Sequence, residues 1–118
     1  MNNTQKIILL SAISLSGISK AQQSQFFADK EQYRFNLAEN LYQNKIYAAS
    51  QYEFSRQYFY NQNLENSKKE TALFFSNVIG VILGQNYAEQ GLDNFMKEYP
   101  KSALFAQANL PLADYYLA

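Results

Sequence analysis

The stretch FMKEYPKSALF, residues 95–105, carries an apolar stripe that ends at Pro100 and begins again after Ser102. A residue before proline avoids helical angles, so Tyr99 ends one helix. Ser102 offers its hydroxyl to the first free N–H groups of the next. Upstream, Ala88, Leu92, Phe95, Met96 and Tyr99 fall on one helical face, with Asn86 and Glu89 as a capping pair. Downstream, Phe105, Ala108, Leu112, Tyr115 and Tyr116 form another. Pro111 is expected to kink that helix or delay its regular part to about Leu110.

The same periodicity runs back through the chain. A helix is expected from Asp29, capped by Asp29 with Gln32, with Tyr33, Leu37, Ala38, Leu41 and Tyr42 on its apolar face. Asn44-Lys45 reads as a tight break. A second helix follows over 46–60, with Tyr47, Ala48, Tyr52, Ser55 and Phe59 as its stripe and Phe54 and Tyr58 outside it. The polar segment NQNLENS, residues 61–67, reads as a linker, and Ser67 with Glu70 as a capping box. The third helix bears Leu73, Phe74, Phe75, Val78, Ile79, Ile82 and Leu83, and Gly84 closes it. Two Pro and four Gly in 118 residues favour long helices over a turn-rich sheet. The fold class is all-α: stacked antiparallel helical hairpins, about five helices after the N-terminal segment.

That segment differs in kind. Lys6 precedes the uncharged run IILLSAISLSGI, residues 7–18, and Ser19-Lys20-Ala21 places small residues before a cut after Ala21. This order of zones is that of a secretory signal peptide over 1–21. The apolar run is shorter than the about twenty residues a membrane span needs. The other reading is a buried first helix of a cytosolic domain. The domain then covers 22–118, with units at about 29–60 and 67–99 and an incomplete third at 102–118. Removing Lys6 and Lys20 from the ten basic residues leaves eight against ten acidic ones.

Composition narrows the chemistry. Cysteine and histidine are both absent, which removes disulfides, thiolate nucleophiles, the usual zinc sites and the commonest general base. Charges balance at ten and ten, and only Lys68-Lys69 is a basic pair. A nucleic-acid surface would need a basic stripe interleaved with aromatics. The acidic residues are scattered, with Glu39 and Glu53 expected on facing helices of one hairpin. No glycine-rich phosphate loop or calcium loop is present. The reading is a non-enzyme with no cofactor and no metal.

Leu37-Ala38 and Leu41 on a first helix, then Ser50 and Phe54 on a second, resemble the large, small and aromatic positions of the tetratricopeptide repeat, or TPR. Gln57 stands where that pattern has its second alanine. Phe95, Tyr99, Pro100 and Ser102, followed by Ala108, Leu112, Ala113, Tyr115 and Tyr116, are similar to a repeat junction typical of TPR proteins of the Gram-negative cell envelope. Those include outer-membrane assembly lipoproteins and Tol-Pal-associated periplasmic proteins. Phe35, Ala38, Leu41 and Tyr42, then Tyr47, Ala48, Ala49, Gln51, Tyr52 and Phe54, resemble the start of large envelope TPR proteins. The absence of cysteine excludes the lipid-anchored branch.

The resemblance implies an exported protein, periplasmic or associated with the outer membrane, with no integral span once the signal is cleaved. It implies a scaffold that takes a protein or peptide partner on the concave face lined by first helices. On the first unit those positions are Gln32, Phe35, Glu39, Tyr42 and Gln43. The alternative is a structural segment that caps the N-terminus of a long solenoid and has no ligand of its own. An apolar last segment without a polar cap is expected of the N-terminal piece of a longer repeat protein, the alternative being a small complete protein that covers that face by dimerising.

Overall fold

The computed structural model describes residues 19–107 and 112. The apolar run at 7–18 and the expected positions Ala108, Pro111, Tyr115 and Tyr116 lie outside the described residues. Four helices are described: α1 (Lys20–Gln43), α2 (Tyr47–Tyr60), α3 (Asn66–Ile82) and α4 (Ala88–Glu98), followed by a helical turn over 104–107. Among the described residues there is no strand, and no helix is long and apolar enough to cross a membrane. The all-α expectation is met.

The chain divides into two units, residues 1–32 and 33–118. In the described part of the first, every residue is exposed except the half-buried Glu31. Here the expected start at Asp29 is overturned. The Gln22 N–H donates to Ser19 Oγ at 3.1 Å and the Ser19 N–H to Gln22 Oε1 at 3.0 Å. This capping box starts α1 nine residues earlier than expected, at Lys20. Asp29 sits inside the helix and accepts from Gln25 Nε2 at 2.8 Å.

In the second unit, contacts between α1 and α2 run in opposite chain order. Tyr42 meets Tyr47, Ser50 Oγ donates to the Ala38 carbonyl at 2.8 Å, and Phe35 packs edge-on to Phe54 at 5.8 Å. The pair is an antiparallel hairpin. α3 and α4 form a second: Gly91 lies against Asn77, and Phe74 against Phe95 at 5.1 Å. Phe75 joins the hairpins by stacking on Phe54 at 5.4 Å. Polar links run beside it. Gln51 and Gln85 exchange amide hydrogen bonds of 2.7 and 2.8 Å, Gln51 also donates to the Ser76 carbonyl, and Ser55 Oγ donates to Ser76 Oγ.

The hairpins are copies of one plan. Phe35 and Phe74, Ala38 and Asn77, and the left-handed residues Lys45 and Gly84 stand 39 residues apart. Ser50 and Gly91, Phe54 and Phe95, Tyr58 and Tyr99, Asn61 and Ser102, and Leu64 and Phe105 stand 41 apart. The change of offset is the longer α3–α4 loop. Both first helices end in the same motif. Lys45 N–H reaches the Tyr42 carbonyl and Ile46 N–H the Leu41 carbonyl; Gly84 N–H reaches Val81 and Gln85 N–H reaches Gly80. This pair of bonds demands a positive φ, which Gly84 adopts freely at 70° and Lys45 at 60° only with strain. Both second helices lead into the same turn: Asn63 N–H donates to Asn61 Oδ1, and Leu104 N–H to Ser102 Oγ.

Several local expectations are corrected. α3 begins at Asn66 after Glu65, and the Ser67–Glu70 box makes no capping bond. α4 begins at Ala88 after the left-handed Tyr87, without a side-chain cap from Asn86. On α2 the buried residues are Ser50, Phe54 and Gln57, whereas Tyr52 and Phe59 are 65% and 71% exposed. The expected stripe was therefore rotated away from the true one. On α1, Phe35 and Ala38 are buried, and Tyr33 is 68% exposed.

The two seams balance volume differently. Ala38 faces Ser50 in the first hairpin; the larger Asn77 faces Gly91 in the second, where an added Cβ would overlap Asn77 Oδ1. Gly91→Ser should lower stability by about 1–3 kcal/mol in thermal unfolding, as overpacking does. Adding Asn77→Ala, which recreates the first seam, should restore most of the loss.

Candidate functional site

A cavity of about 190 Å³ lies between the two hairpins on the side of their first helices. From α1 it takes Glu39, Tyr42 and Gln43; from α3, Thr71 and Phe75; from α2, Phe54; and from the turn at 104–107, Leu104 and Gln107. Its apolar floor is the Phe54–Phe75 stack, which is also the joint between the hairpins. Its rim is polar and short of charge: the Glu39 carboxylate, the Gln43 and Gln107 amides, and the Thr71 hydroxyl, which donates to the Ser67 carbonyl at 3.0 Å. A second hollow of about 260 Å³ lies over the α3–α4 loop, against Val81, Gln85, Tyr87 and Glu89.

Tyr42 is the distinctive wall residue. Its ring packs at 4.7 Å from Phe75 and 5.9 Å from Tyr47, and its hydroxyl is buried with no hydrogen-bond partner. Burial, and then the neighbouring Tyr47, push its pKa up to about 12. A phenol oxygen held without a partner at a cavity wall costs stability and gains by accepting or donating a bond to an incoming group.

Of the five residues expected on the binding face, Glu39, Tyr42 and Gln43 line this cavity. Phe35 does not: it is 4% exposed, edge-on to Phe54 and covered by the Lys68 ammonium 5.5 Å from its ring centre. Gln32 is an exposed residue of the first unit. Thr71, Leu104 and Gln107 went unread in the sequence. The repeat offset of 39 would have found Thr71, since it occupies in α3 the position of Gln32 in α1. Glu53 does not converge with Glu39 on a shared site; its carboxylate lies 3.7 Å from Arg34. Among the described residues no group of three or more acidic side chains could hold a metal ion.

No family model, curated protein or solved structure matches this chain.

The Tyr42 phenol gives an alkaline signature. Its pKa is higher folded than unfolded, so its contribution is fully present below pH about 10 and is lost as pH rises toward about 12. Melting midpoints of wild type should fall across that window, and Tyr42→Phe should fall less. At neutral pH the same substitution should raise stability by about 1 kcal/mol, by removing the unpartnered hydroxyl.

Proposed function

We propose that this chain is a non-enzymatic scaffold of the TPR type, which takes an extended segment of a partner protein in the cavity between its first helices. The observation that carries the reading is the repetition of one hairpin plan with a cavity between the copies. Small residues lie at the seams (Ala38 with Ser50, Gly91 opposite Asn77), and Phe54 and Phe95 are buried at matching positions. Aromatic floor and amide rim suit a polypeptide, whose apolar side chains need a dry surface and whose backbone needs donors and acceptors. The chain is exported through a signal peptide over 1–21, and its domain of 22–118 works in the cell envelope, in the periplasm or at the outer membrane. Its chemistry is recognition, without cofactor or nucleic acid.

Two measurements test this. Envelope fractions passed over immobilised wild type should leave a reproducible bound protein, and Glu39→Ala with Gln43→Ala should reduce its capture about tenfold, equivalent to about 1.4 kcal/mol. Both positions are exposed, so helicity by circular dichroism should not change. Equal capture by the variant defeats the groove reading. For export, the protein recovered from cells should begin at Gln22 by mass; a chain retaining residues 1–21 defeats it.

A further inference from the structure

The two hairpins follow one plan but differ sharply on one surface. On α3, Ala72, Phe75 and Ile79 share a helical face and are all buried in the core, and Phe75 stacks on Phe54 of the first hairpin. The repeat offset maps these positions onto Tyr33, Asn36 and Asn40 of α1. There all three are exposed, Tyr33 at 68%. Asn40 is further committed to its own helix end, accepting from Asn44 Nδ2 at its carbonyl (2.9 Å) and its side chain (3.0 Å). One plan thus produces an apolar stacking face on α3 and an amide face in the same register on α1.

We infer that the Tyr33–Asn36–Asn40 face of α1 is a solvated end cap, on which no further hairpin or second copy stacks. A stacking face must bury apolar side chains to offset the ordering of a new hairpin, and this face offers one exposed ring and two amides where α3 has Ala72, Phe75 and Ile79. The inference rests on the stacked-hairpin reading but not on the groove: Glu39 and Gln43 lie along another edge of the same helix.

The chain has no cysteine, so single thiols report on each face in the full-length protein. Tyr33→Cys and Asn40→Cys should react with a soluble thiol reagent within about threefold of their rate in denaturant, and Ala72→Cys at least about a hundredfold slower. Val78→Cys, at another fully buried position, replaces the last probe if Ala72→Cys lowers helicity. Protection at Tyr33→Cys or Asn40→Cys matching that of the buried probe overturns the cap, because something then stacks there. Rapid labelling of the buried probe in a folded chain overturns the repeat equivalence on which the inference stands. Neither result depends on partner capture, so a failed groove leaves the cap standing and a failed cap leaves the groove standing.

Discussion

The stack of Phe54 on Phe75, with ring centres 5.4 Å apart and planes 18° from parallel, is the contact on which the arrangement depends. It joins the hairpins and links two aromatic clusters. On one side Phe54 meets Phe35; on the other Phe75 meets Phe74, which meets Phe95 and Phe105. Each such pair contributes about 0.5–1.5 kcal/mol beyond its buried area. Because the same two rings form the cavity floor, core and cavity cannot be separated: any group entering the cavity would lie directly on the joint. Any change that tilts one hairpin on the other reshapes the floor.

The two hairpins correspond in volumes and angles more than in residue identity. At the seam, Ala38 and Ser50 in one hairpin become Asn77 and Gly91 in the other, a transfer of bulk across the interface that keeps the helices close. Deep in the first hairpin, buried Gln57 is accommodated because Asn61 Nδ2 donates to its amide oxygen at 3.0 Å. Its counterpart Glu98 is exposed. Identity is lost at each position while the geometric demand is met, which explains how two hairpins can share a plan that a residue-by-residue comparison barely registers.

The same reasoning explains what was legible in the sequence. Chain-stopping chemistry was plain: Gly84 and Pro100 mark real ends, and Ser102 receives the Leu104 N–H as its position demanded. Helix starts were not, because side-chain capping competes with the backbone path. The Asn61 turn and the buried Leu64 deliver the chain into α3 before Ser67 can cap it. On α2, counting large aromatics favoured Tyr52 and Phe59, yet the buried face is Ser50, Phe54 and Gln57. There the spacing of small Ser50 and aromatic Phe54, four apart, was the better guide, since close packing selects small residues that hydropathy ignores. Of the cavity lining, Glu39, Tyr42 and Gln43 were readable. Phe35 was not, because the core claims it from one turn away.

α1 explains why a single periodicity served so poorly. Within two turns it meets three environments: Phe35 and Ala38 face α2, Glu39 and Gln43 face the cavity, and Asn36 and Asn40 face solvent. A helix with one buried stripe and two polar faces of different purpose has weak overall amphipathicity, so its apolar positions do not announce their direction. α3, wedged between neighbours on two sides, shows the opposite: apolar residues nearly all round, equally silent about direction. What fixes direction in both is the partner helix. It becomes visible only when the two hairpins are superposed in register, and then the polar face of α1 reads as a surface released from packing.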